Sequence, residues 1–197
     1  SCFALIACLF AGPLTQELLA FSGRGHRGAV RRDPQEAARH KWVAMRNYIL
    51  APIAEEVVFR ACLCRLWVGA GIPTTVIVFC TPCWFSLAHA HHYLEHVRRR
   101  GDTLDAMVQV VFQIFYTSIF GALAAYMLLR TGSTIAVIIV HSFCNHMGFP
   151  DISWAALPRH PLYPKRAPIG AAYILGILGF AMLLGPLTSG FKTPFDL

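Results

Sequence analysis

The sequence predicts an all-α, polytopic integral membrane helical bundle, and three observations carry that prediction. Hydrophobic residues make up 56% of the 197-residue chain, with a mean hydropathy of +0.52. Charged residues are 14%, against about 25% in soluble globular domains. The basic residues fall on alternate loops between the apolar runs rather than evenly along the chain. This composition excludes a disordered chain, a disulfide miniprotein and an ordinary nucleic-acid-binding domain.

A spanning helix needs about 20 mainly apolar residues. The run Ser1–Leu14 is apolar, lacks the basic region of a signal peptide and reads as the remainder of a spanning helix, so the chain reads as a fragment. Next, Asp33-Pro34-Gln35-Glu36 has the form of a helix start: an Asp N-cap, Pro at the first helical position and Glu closing a capping box. That helix is expected to lie along the cytoplasmic interface and to run to about Leu50, stopped by Pro52. Ala51–Trp67 has the length of a short span but carries Glu55, Glu56, Arg60 and Arg65. Ile72–Ala88 is apolar and interrupted by Pro73 and Pro82. Ala106–Leu129 is uncharged throughout. Thr134–Phe149 is shorter and holds His141, Asn145 and His146. Ile169–Leu187 is the last candidate, bounded by Pro168 and Pro186.

Counting Ala51–Trp67 as a span gives six, and the charges support the count. The loops 22–50, 89–105 and 150–168 then share one side and hold thirteen of the seventeen basic residues. The opposite side has only Arg130 and Lys192, while Arg60 and Arg65 lie inside the polar span. Positive loops stay cytoplasmic, which orients the chain. Topology and anionic lipid therefore account for the net charge of +7, and no nucleic-acid partner is needed. The seven cysteines are odd in number and lack framework spacing, so they read as free thiols. Cys80 and Cys83 have redox spacing but sit in an apolar run without a βαβ pattern, which makes the spacing incidental. There is no internal repeat.

Ionisable residues inside membrane segments are costly and mark function. In Glu55-Glu56-Val57-Val58-Phe59-Arg60, Glu56 and Arg60 are four apart and can pair on a helix. Glu55 lies about 140° from Arg60 around the axis and points elsewhere. Carboxylates in low dielectric hold protons near neutrality and suit proton transfer. A helix–helix ion-pair network is the structural alternative. Phe85-Ser86-Leu87-Ala88-His89 brings a histidine to the cytoplasmic end of its span. His141 and Asn145 are also four apart, so an imidazole and a carboxamide share one helix face; a polar interhelical contact would explain them equally well. Depth links the groups. Glu55 is roughly 6 Å in from its helix start and Asn145 roughly 7 Å from Pro150. With His89 at the boundary, all four can converge in a cavity open to the cytoplasm. The chemistry expected there is peptide hydrolysis, with Glu55 and His89 activating water and His141 and Asn145 donating to the oxyanion.

The ordered set EExxxR, FxxxH and HxxxN, as Glu55–Arg60, Phe85–His89 and His141–Asn145, resembles the CAAX prenyl endopeptidase family, eukaryotic type II. The resemblance runs from about Asn47 to Leu187. It implies one membrane domain over 1–197, truncated at its N-terminus, since the family has about eight spans and six are legible here. It further implies an enzyme of the endoplasmic reticulum membrane, open to the cytosol. Such an enzyme removes the last three residues of proteins whose CaaX cysteine carries a farnesyl or geranylgeranyl group. By motif position the catalytic base maps to Glu55 with His89 beside it, the oxyanion pair to His141 and Asn145, and supporting roles to Glu56 and Arg60. No cofactor is implied.

Other readings compete. His92-Tyr93-Leu94-Glu95-His96 matches an inverted zinc-protease pattern, HxxEH, but lies in a polar loop without an obvious third ligand there. A zinc site of Glu55, His89 and His141 is chemically possible, although the resemblance favours a metal-independent, glutamate-dependent mechanism. A transporter would distribute polar groups across the membrane, whereas here they cluster in the cytoplasmic half. A non-catalytic scaffold binding prenylated proteins is the remaining class, and the intact motif positions argue against it.

Overall fold

The computed structural model describes residues 2–23, 34–88, 97–98 and 103–191, and among them it is helical with no strand. The expected Asp33 cap, His89 and the His92–His96 pattern lie outside the described residues. The chain divides into two compact units, one built from 1–51 and 139–189, the other from 52–138 with 190–197.

In the first unit, the N-terminal apolar run forms two helices, α1 (Cys2–Leu9) and α2 (Ala11–Gly23), bent by 64°. The sequence expectation is the remainder of one spanning helix, and Pro13 accounts for the bend within it. Proline has no N–H for the carbonyl four residues back, and its ring crowds that carbonyl. Both helices pack on the final long helix, Arg166–Thr188. The approach is close because of two glycines. A Cβ at Gly12 would run into the Tyr173 ring, and one at Gly176 into the Cys8 carbonyl. Nearby, Trp154, Leu162 and Ile169 form a small buried cluster, with Trp154 stacked on Tyr173 at 5.9 Å.

The helix expected from Asp33 onward begins at Pro34 as α3 (Pro34–Met45), and the helical run does not stop at Pro52. Helical turns continue through a wide π turn (Arg46–Leu50), α4 (Ala51–Glu56), a second wide stretch (Val57–Cys64) and α5 (Arg65–Gly69). The wide turn is how the run passes the proline: the Ala51 N–H bonds the Arg46 carbonyl, five residues back, directly before Pro52. At that wide spacing the N–H that Pro52 lacks would have gone to the Asn47 carbonyl.

In the second unit, α6 (Thr74–Leu87) packs along α7 (Thr103–Thr131), and both touch the wide stretch Val57–Cys64. Pro73 stands at the N-cap of α6, while Pro82 sits inside it and is buried. Gly121 of α7 accepts that proline: a Cβ there would come within 2.9 Å of the Pro82 Cβ. Beyond α7, α8 (Thr134–Met147), α9 (Ser153–Ala156) and a short turn at Tyr163–Lys165 lead into the final helix, α10 (Arg166–Thr188).

Two helices are long and apolar enough to cross a membrane, Thr103–Thr131 and Tyr163–Thr188, and the bent pair α1–α2 makes a third if taken as one span. The protein is a membrane protein. Ile174, Leu175, Leu178 and Met182 of α10 are exposed, as lipid-facing side chains are. The other three expected spans are helical but differ in build. α6 and α8 have 14 residues each, about 21 Å at 1.5 Å per residue against a hydrocarbon core of about 30 Å. Ala51–Trp67 is one part of the longer run from Pro34 to Gly69. All seven cysteines are free.

Candidate active site

The EExxxR motif straddles the passage from α4 into the wide stretch. Glu56 and Arg60 form the ion pair their spacing predicts, Arg60 Nη1 donating to Glu56 Oε1 at 3.0 Å. The pair is fully buried, with side chains 0% and 2% exposed. A buried pair needs more than Coulomb attraction to offset desolvation, and aromatic faces supply it here. The Arg60 guanidinium lies 4.4 Å from the Phe85 ring centroid and 5.8 Å from that of Phe120. Phe59 meets Phe85 edge-on at 5.3 Å. Glu55, beside this pair in sequence, is half-buried.

Phe85 therefore joins two motifs: it is the Phe of FxxxH and the platform for the Arg of EExxxR. Ser86, next to it, lies 2.8 Å from Ser118 Oγ and 3.2 Å from Thr117 Oγ1, so hydroxyls fasten the end of α6 to α7. In the wide stretch, Cys64 Sγ reaches the Phe59 carbonyl at 3.2 Å, five residues back, and Thr81 Oγ1 at 3.7 Å.

The HxxxN motif lies on α8, in the unit built from 1–51 and 139–189. His141 is 4% exposed, among the buried Val137 and Val140. Asn145, one turn on, is exposed, and its Nδ2 donates to the Asn47 main-chain carbonyl at 3.1 Å. His146 meets Tyr48 edge-on at 5.5 Å. Phe143 is gripped by Phe3 and Phe10 at 5.3 and 5.4 Å. These contacts tie α8 both to α1 and to the wide turn Arg46–Leu50.

The structure thus brings Glu56 to Arg60 and sets His141 and Asn145 on one helix, while His89 lies outside the described residues. Among the described residues, no three His, Cys, Asp or Glu side chains are grouped to hold a metal ion. Four residues that sequence reasoning left without a role carry the geometry: Phe120 and Gly121 around Arg60, and Asn47 and Tyr48 around Asn145 and His146. The break at Pro52 was the available signal for the last two, since it marks where the main chain departs from an α ladder.

Residues 38–147 match the model of the family described as type II CAAX prenyl endopeptidase, Rce1-like, and all three motifs fall inside that match. The chain belongs to this family. Among curated relatives, it is 41% identical over 148 residues to the CAAX prenyl protease 2 of Homo sapiens, covering 73% of this chain and 42% of that protein. It is 40% identical over 145 residues to the protein of the same name in Arabidopsis thaliana, covering 73% and 43%. With the Caenorhabditis elegans protein it shares 37% over 155 residues, covering 79% and 57%. The chain spans about half the length of the curated relatives it matches. No solved structure matches it. Within the family, the EExxxR element of this member has a buried and aromatic-backed second half, Glu56 with Arg60, and a half-buried first glutamate.

Proposed function

We propose that this protein is an intramembrane endopeptidase that removes the last three residues of farnesylated or geranylgeranylated CaaX proteins. The observation that carries the reading is the buried Glu56–Arg60 pair at 3.0 Å inside the family match. A second glutamate held in a buried ion pair fits a supporting role, which agrees with assigning proton transfer to Glu55. The relatives' name, CAAX prenyl protease 2, points the same way.

Glu55, acting with His89, takes a proton from water as the oxygen attacks the carbonyl of the prenylated cysteine. His141 and Asn145 donate hydrogen bonds to the oxyanion that forms. The proton passes to the departing amide nitrogen, the C–N bond breaks, and the products are a prenylcysteine carboxylate and a free tripeptide. The isoprenoid remains in the apolar phase while the peptide reaches the polar groups. No metal takes part in this scheme. The basic loops favour a site on the cytosolic face of the endoplasmic reticulum membrane.

The test is tripeptide release from a farnesylated CaaX peptide by the full-length protein in membranes, with and without phenanthroline. Cleavage that Glu55→Ala abolishes and the chelator leaves intact supports the scheme. Chelator-sensitive cleavage would replace it with zinc chemistry at Glu55, His89 and His141 or at His92 and His96. A folded wild type that never cleaves would turn the reading toward a prenyl-binding scaffold or a transporter.

A further inference from the structure

In an α-helix the Asn47 carbonyl would accept the N–H of Ala51, four residues on. Here that N–H bonds the Arg46 carbonyl instead. Continuing the wider step would bring the Asn47 carbonyl to the amide of residue 52, and residue 52 is proline, which has no N–H. Both main-chain donors within reach of the Asn47 carbonyl are thus removed. The hydrogen bond comes from the Asn145 Nδ2, 98 residues away in sequence and 3.1 Å away in space.

We infer that Pro52 is a positioning residue for Asn145: it withholds the main-chain donor from the Asn47 carbonyl so that this carbonyl can orient the Asn145 carboxamide. The inference rests on the reading of Asn145 as an oxyanion donor. A carboxamide has a donor end and an acceptor end of nearly the same shape. An oxyanion is stabilised by the first and repelled by the second. A main-chain carbonyl can only accept, so it selects the rotamer in which nitrogen faces it. The group is planar, so fixing one N–H also fixes the direction of the other. A Pro52→Ala variant restores a donor by either route. The new amide can bond the Asn47 carbonyl at the wide spacing, or the turn can relax to α and let Ala51 do so. Asn145 then loses its anchor.

The experiment is steady-state cleavage of a farnesylated CaaX peptide by the full-length protein in membranes. It compares wild type, Pro52→Ala, Asn145→Ala and the double variant, each brought to equal amounts of folded protein by melting profile. Alanine is a better helix former than proline, so the helix should persist; Pro52→Ser supplies the same amide if folded Pro52→Ala is scarce. The expected result is a fall in kcat of about tenfold with KM unchanged for Pro52→Ala, smaller than the ~100- to 1,000-fold loss on deleting an oxyanion donor. In the Asn145→Ala background, Pro52→Ala should cost nothing further. A wild-type kcat in both Pro52 variants, a change confined to KM, or the same fall with and without Asn145 would overturn the inference and leave the peptidase reading standing. A wild type without cleavage would overturn both.

Discussion

Arg60→Ala is the perturbation with the largest effect to be read from this structure. The guanidinium is 2% exposed and the carboxylate it meets is 0% exposed. Removing it strands the Glu56 charge in the interior, which in buried pairs costs about 3–5 kcal/mol. The contacts with Phe85 and Phe120 go with it, and a desolvated cation–π contact contributes about 2 kcal/mol. These terms overlap, so about 4 kcal/mol is a fair working value. At about 2–4 °C per kcal/mol for a domain of 150–250 residues, Arg60→Ala should melt roughly 8–16 °C below wild type. Differential scanning fluorimetry of the full-length protein in nanodiscs reads that shift. The companion is Glu56→Leu with Arg60→Met, which removes both charges and retains volume. Such a double replacement is often neutral or stabilising, so it should recover most of the loss. A melting point for Arg60→Ala within about 2 °C of wild type would refute the reasoning. So would a double variant as unstable as the single one, because the cost would then not come from a stranded charge.

The same melting assay reads two further predictions. Gly121→Leu should lower stability by about 1–3 kcal/mol through overpacking, because even a Cβ there meets Pro82 at 2.9 Å and Arg60 Nη2 at 3.3 Å; loss of Arg60 from its place should also reduce cleavage. Gly176→Ala and Gly12→Ala should both lower the melting point, since the first meets the Cys8 main chain and the second meets the Tyr173 ring, which is held in its stack on Trp154. Asp151 offers a pH test outside the membrane. Its carboxylate accepts the Ser153 N–H at 2.8 Å, and hydrogen bonding with Ser153 holds its pKa below the ordinary carboxylate value, with His160 adding to the shift. A lowered folded pKa contributes stability above the unfolded pKa of about 4 and loses it as pH falls through the folded value. The difference between wild type and Asp151→Ala in protease cleavage of the 150–168 loop should therefore be constant above about pH 5 and vanish in stronger acid.

Much of this architecture is legible in the sequence because membrane helices announce themselves by length and charge. The uncharged runs Ala106–Leu129 and Ile169–Leu187 lie wholly within the helices Thr103–Thr131 and Arg166–Thr188. The Glu56–Arg60 pair is legible for the same kind of reason, since four residues on a helix are neighbours whatever surrounds them. Prolines were less transparent. Pro52 reads as a stop and is passed by a widened turn; Pro82 reads as an interruption and is absorbed opposite Gly121; Pro13, preceded by Gly12 in a run read as one helix remnant, follows directly on the bend at Phe10. In each case the outcome depends on what lies across from the proline or on how the preceding turn is wound, and local sequence encodes neither. The partners of Arg60 were hidden too, because Phe85 and Phe120 are among many aromatics in apolar runs until the fold selects them.

The wide turns have a consequence for how this region tolerates change. A turn that steps by five holds a residue more than an α turn of the same height, so the stretch from Arg46 to Cys64 sets the rotational phase of the turns it contains. Losing one residue from a wide turn would leave an α turn of the same height, so the turns beyond it would keep their phase and Glu56 and Arg60 would stay in the interior. Between Arg46 and Cys64 the chain can therefore take up a one-residue change of length at a wide turn without disturbing the buried pair, and a single-residue gap among relatives is expected there rather than within α4.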